Sequence, residues 1–168
     1  LEVEDMAAAY QYLVDQGIAM PDSVLLTGGS YGGYLTLLGM GKRPDLWAGG
    51  VAEVAIADWR LMYEDQAETL RGYQRSLFGG TPDEKPDAHR ASSPITYVQH
   101  YRVPVLVIQG ENDSRCPSRQ MRAFESQMQA AGKPIQIHWF DAGHGSLSID
   151  ESIKHQELAL RYAYQVLG

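Results

Sequence analysis

The sequence has one cysteine, Cys116, in 168 residues. That excludes an internal disulfide, a CxxC redox pair and a cysteine-based zinc site, and it is compatible with a reducing compartment. Positive charge is scarce as well: 14 Lys and Arg stand against 21 Asp and Glu, a net charge of −7. With no Lys/Arg run to neutralise phosphates, no nucleic acid is expected as a partner. No apolar stretch approaches the roughly 18 residues of a membrane span, and no basic segment followed by an apolar one opens the chain. No membrane partner is expected, and the chain reads as cytoplasmic. Neither an H-E-x-x-H nor a cysteine cluster offers ligands, so no metal and no organic cofactor is expected.

What is present is the balance of a globular protein, with 44% hydrophobic and 21% charged residues, in a length suited to one domain. Residues 2 to 16 show helical spacing closed by Gly17. A buried strand is expected at Ser23 to Thr27, a helix at Tyr31 to Lys42 and a second strand at Gly50 to Ala57. Helical pieces follow around 60 to 71 and 73 to 78, with a polar loop at 80 to 93. Val103 to Gln109 reads as a strand, 117 to 131 as a helix, Pro134 to Phe140 as the last strand and Leu147 to Leu167 as the last helix. Strands alternating with helices argue for an α/β architecture with a parallel sheet covered on both faces. Active groups in such sheets gather beyond the carboxyl ends of the strands.

Beyond the first strand lies Gly28-Gly29-Ser30-Tyr31-Gly32-Gly33-Tyr34, which contains G-x-S-x-G in a strand, turn, helix context, the setting of a nucleophile elbow. Glycine at Gly28 and at Gly32 is expected to remove side chains that would strike the adjoining strand and helix. The Tyr31 N–H then opens a helix, where partial positive charge suits a developing oxyanion. A phosphate-cradling loop fits less well, since no Lys follows the glycines and G-x-G-x-x-G does not occur.

A serine hydroxyl needs an imidazole to take its proton, and the imidazole needs an acid to hold its tautomer. Asp113 and His144 each sit just past a later strand end, in the order serine, acid, histidine. Glu111 and Asp58 are rivals for the acid, Asp58 also being a candidate helix cap; Asp141 is too near His144 in sequence to orient it. His138 alternates within its strand and is expected to be packed or exposed on a sheet face, and His89, His100 and His155 to be solvated.

With these residues assembled, GGSYGGY, GENDSRCP and DAGHGS make the chain resemble the prolyl oligopeptidase family of serine peptidases, most closely its acylaminoacyl-peptidase branch. The resemblance covers nearly the whole chain. It implies an α/β-hydrolase fold, Ser30 as nucleophile, Asp113 as acid, His144 as general base and the Tyr31 N–H as oxyanion donor. It also implies a substrate-backbone contact at Arg115 and a pocket for the substrate side chain at Trp59 and Tyr63. Short peptides are the implied substrates, with a carboxylesterase or thioesterase, or a catalytically silent assembly piece, as alternatives. Family members carry a β-propeller and further N-terminal strands, one loop of which supplies a second oxyanion donor. The chain opens at Leu1 inside a helical pattern, so residues 1 to 168 are expected to be the C-terminal portion of such a catalytic domain. Taken alone it should hydrolyse poorly, since losing one oxyanion donor costs about 100-fold to 1,000-fold, and its uncovered sheet edge invites self-association.

Overall fold

The computed structural model describes all 168 residues. Four parallel strands, β1 (Leu25–Gly29), β2 (Gly49–Glu53), β3 (Val105–Gly110) and β4 (Ile135–Phe140), lie side by side in that order. Helices α1 (Glu2–Asp15), α2 (Tyr31–Lys42), α3 (Trp59–Asp65), α4 (Glu68–Phe78), α5 (Pro86–Ser92), α6 (Ser118–Ala130) and α7 (Ile149–Leu167) complete the chain, with a 3₁₀ stretch at Pro94–His100. No helix is long and apolar enough to cross a membrane.

The sheet is central because β3 is buried along its whole length and alternate residues feed opposite cores. Val105 and Val107 pack with Leu37 and Met40 of α2 and Met121, Phe124 and Met128 of α6. Leu106 and Ile108 face the other way, with Val51, Phe140 and Tyr162 of α7. The result is a three-layer α/β sandwich in which α7 alone covers one face. The β1 edge has no further strand beside it, and Leu147, Ile149, Ile153, Leu160 and Tyr164 of the α7 region are exposed.

Element boundaries differ from the sequence reading in several places. The first strand runs two residues later and the second stops at Glu53, because Val54 takes a positive φ of 40°, a conformation a β-branched residue rarely adopts. The expected helix over 60 to 71 breaks at Gln66 and Ala67, where the buried Gln66 side chain donates to Gln74 of the next helix at 2.7 Å. The expected polar loop at 80 to 93 contains α5, whose first residue is Pro86; a proline at that position is itself a helix-start signal.

Beyond Val54, whose N–H still reaches the Ile108 carbonyl, residues Ala55 to Ala57 leave the ladder, and two buried glutamines bond to their backbone. Gln109 Oε1 accepts from Ala55 N at 3.0 Å, while Gln120 Oε1 accepts from Ala57 N at 2.6 Å and its Nε2 donates to the Ala55 carbonyl at 3.0 Å. Replacing Gln120 by Leu removes these partners and leaves two buried backbone groups unpaired. We expect the stability measured by urea denaturation to fall by about 2–4 kcal/mol; a loss well under 1 kcal/mol would show that the segment is held by other means.

Candidate active site

The parallel register sets the ends of the strands level with one another. Gly29 lies opposite Glu53, Glu53 opposite Ile108, and Gly110 opposite Phe140. Ser30, Asp113 and His144, from the loops beyond β1, β3 and β4, therefore meet above one edge of the sheet.

Ser30 has φ 56° and ψ −117°, a conformation costly for a residue with a side chain. Its N–H donates to the Glu53 carbonyl at 2.8 Å and its carbonyl accepts from Tyr34 N at 2.9 Å, which locks the turn at both ends. The glycines divide their roles differently from expectation. A Cβ on Gly28 would stand 2.6 Å from the Gly32 backbone, but one on Gly32 would meet nothing within 4 Å; the crowded partner is Gly33, whose Cβ would lie 2.8 Å from the Glu53 carbonyl. Gly33 must be small because α2 crosses so near the end of β2.

Asp113 is fully buried at its side chain and accepts three hydrogen bonds. Oδ1 takes Arg115 N at 2.8 Å and Cys116 N at 2.9 Å, and Oδ2 takes His144 Nδ1 at 2.8 Å. A carboxylate only accepts, so Nδ1 carries the imidazole proton and Nε2 presents its lone pair. Ser30 Oγ lies 2.9 Å from that Nε2 and donates to it. Tyr31 is the first residue of α2, so its N–H has no acceptor within the helix. The Tyr31 hydroxyl donates to Glu2 of α1 at 2.7 Å, and burial together with this bond pushes its pKa upward.

The rival residues are engaged elsewhere. Asp58 caps α3, accepting from the N–H groups of Arg60 and Leu61. Glu111 pairs with Arg122 at 3.2 Å, and Asp141 accepts from Asn112 at 2.8 Å. The expectation of solvated histidines fails for His89 and His155, which are only 2% and 7% exposed. His89 stacks on Phe78 at 4.1 Å, and His155 packs on Phe140 at 4.5 Å.

A cavity of about 290 Å³ opens beside Ser30. Tyr31, Ile56, Trp59, Met62, Leu70 and Tyr73 form its apolar wall, with Gln66 and Gln74 as polar members and Arg115 and Cys116 also lining it. Trp59 and Arg115 thus both line the cavity beside Ser30. Tyr63 does not line this cavity: its hydroxyl accepts from Arg75 at 3.1 Å and Arg71 lies over its ring, so it faces a separate, polar groove with Arg60 and Glu64. Leu70 and Tyr73 escaped the sequence reading because α4 returns to the site only through tertiary packing, although the strong amphipathic pattern of that helix was a usable signal.

The family model for the prolyl oligopeptidase family matches residues 1–168. The chain is 32% identical over 170 residues to dipeptidyl aminopeptidase BIII of Pseudoxanthomonas mexicana, covering 98% of this chain and 25% of that protein. The solved structure of a Mycobacterium tuberculosis puromycin-hydrolyzing peptidase superposes with a TM-score of 0.92 at 30% identity, over 99% of this chain and 25% of that one. Pyrococcus horikoshii acylaminoacyl peptidase superposes with a TM-score of 0.83 at 26% identity, over 98% and 27% respectively. The chain therefore spans about a quarter of the length of these relatives.

Cys116 is 2% exposed, and burial first, then the Asp113 charge, pushes its thiol up to about 12. Only the thiolate attacks alkylating reagents, so very little of the native thiol is reactive near neutral pH. Iodoacetamide should leave Cys116 unmodified in the native protein near neutral pH and label it on denaturation, with a native rate still rising tenfold per pH unit above 9. A rate that levels off near 8.5, as for a free cysteine, would contradict the burial of Cys116.

Proposed function

The chain belongs to the prolyl oligopeptidase family, and from that premise we propose that it is the triad-bearing portion of a serine peptidase acting on short peptides. The observation that carries the reading is the continuous chain Asp113–His144–Ser30, with contacts of 2.8 and 2.9 Å, set on a strained turn at the mouth of an apolar cavity.

Ser30 Oγ attacks the scissile carbonyl as Nε2 of His144 takes its proton. Buried Asp113 holds the Nδ1–H tautomer and stabilises the imidazolium that forms. The carbonyl oxygen, negative in the tetrahedral intermediate, lies against the Tyr31 N–H at the positive end of α2. His144 returns its proton to the departing amine, and water repeats the sequence to release the acid. Arg115, exposed and making no side-chain hydrogen bond within the protein, can donate to a peptide carbonyl of the bound substrate. The residue before the scissile bond projects into the cavity walled by Trp59, Met62, Leu70 and Tyr73, which favours apolar and aromatic side chains. The relatives' names include both aminopeptidase and acylaminoacyl peptidase activities; a substrate with a free or an acylated N-terminus fits the same centre.

We further propose that residues 1 to 168 form the C-terminal part of a larger hydrolase domain. The open β1 edge and the exposed apolar face of α7 support this, as both are surfaces that additional strands and helices would cover.

In the full-length protein, a fluorophosphonate should label Ser30, and Ser30→Ala should abolish both labelling and peptide turnover. Asp113→Asn, which presents the wrong tautomer, should lower kcat by about 10⁴-fold. Peptide anilides with Phe before the scissile bond should exceed those with Asp or Lys at least about tenfold in kcat/KM. Turnover retained by Ser30→Ala would overturn the proposal.

A further inference from the structure

Away from the site just described, His138, Glu151 and His155 converge on the opposite face of the sheet. His138 lies in β4, Glu151 and His155 lie one helical turn apart on α7, and their ligand atoms are all within 4.8 Å of one another. Both imidazole Nε2 atoms point at the same carboxylate oxygen, Glu151 Oε1, at 3.4 Å from His138 and 3.2 Å from His155. We propose that these three side chains form a binding site for a divalent transition cation of the zinc class.

The distances support it. With metal–ligand bonds of about 2.0–2.1 Å, a tetrahedral centre separates its ligand atoms by about 3.3–3.4 Å, and the two measured edges bracket that value. Two imidazoles and one carboxylate suit zinc, cobalt or nickel, whereas calcium and magnesium prefer sets made wholly of oxygen. The frame is already rigid: the His155 side chain is 8% exposed, fixed by Phe140 at 4.5 Å, and the two imidazoles stand edge to face at 5.6 Å. Coordination replaces the hydrogen bonds to Oε1. Each ring then presents the Nε2 lone pair to the cation and keeps its proton on Nδ1. The Lys154 ammonium lies 3.5 Å from the same oxygen, but its side chain is 53% exposed and can swing into solvent.

The location gives the site a consequence. His138 precedes the end of β4 by two residues and Glu151 is the third residue of α7, so a bound cation ties together both ends of the segment that carries His144. No short sequence motif announces these ligands, because one comes from a strand and two from the helix that packs on it.

The test is a Co²⁺ titration of the chelator-treated full-length protein, read by visible absorption. Cys116→Ser serves as the background, since Asp113, Cys116 and His144 are a second group of ligand atoms within 4.8 Å. The proposal expects one equivalent of Co²⁺ to give the intense bands of a tetrahedral centre, displaced by Zn²⁺. His138→Asn and Glu151→Gln, both at partly exposed positions, should fold normally by circular dichroism and weaken binding by about 100-fold. Zn²⁺ should also slow amide hydrogen exchange over residues 141–148, except in Glu151→Gln. Only the weak spectrum of hydrated cobalt, binding unaffected by Glu151→Gln, or bands lost on Cys116→Ser would each overturn the site. Binding without slowed exchange would overturn the tie across the His144 segment.

Discussion

The parallel register of the four strands is the constraint from which the rest follows. Parallel strands all present their carboxyl ends on one side, and here the pairing leaves those ends level. Three side chains separated by as many as 114 positions in the chain thus come within hydrogen-bond reach. The register is specified by burial: β3 is enclosed on both faces, and slipping it by one residue would exchange Val105 and Val107 with Leu106 and Ile108 between two differently shaped cores. Packing energy far from the site is thereby converted into positional accuracy at it.

Level strand ends alone would not aim the serine. The Ser30 turn holds a backbone conformation unfavourable by about 1–3 kcal/mol, and it persists because Ser30 is bonded to the neighbouring strand and to its own helix. A second strained residue, Val54, lies just past the strand end that receives the Ser30 N–H. Its N–H is held by the Ile108 carbonyl at 2.8 Å. Two unfavourable torsions therefore flank one interstrand bond, each imposed by neighbours that are fully paired only in this geometry.

Polar burial performs the same service for the cavity. Gln74 Nε2 donates to the Trp59 carbonyl at 2.7 Å, which fixes the orientation of its amide and makes Gln66 Nε2 the donor to Gln74 Oε1. Gln109 of β3 and Gln120 of α6 hold the backbone of Ala55 and Ala57. Such networks replace the regular ladder that the cavity wall lacks, and their cost is offset only when they are satisfied. Gln66 Oε1 and Trp59 Nε1 are the members left without a partner.

The alternation of apolar strands with amphipathic helices made the α/β class legible from local pattern alone. Ser30, Asp113 and His144 were legible because each stands in a short turn just after a strand, glycine-rich around Ser30 and His144 and closed by Cys116-Pro117 after Asp113. Information of that kind is local: hydrophobic period, turn chemistry and the order of residue types along the chain. Other features had no local expression. Tyr63 and Tyr73 are ten residues apart and equally aromatic, yet only the break at Gln66 and the return of α4 decide that Tyr73 faces the cavity while Tyr63 turns to Arg71 and Arg75. His89 and His155 looked like surface histidines because burial depends on what another element lays over them. The sequence by itself determined which groups can do chemistry and at which strand ends they stand. The tertiary structure alone decided which side chains share a cavity or a carboxylate oxygen, because proximity across elements is set by packing and not by spacing along the chain.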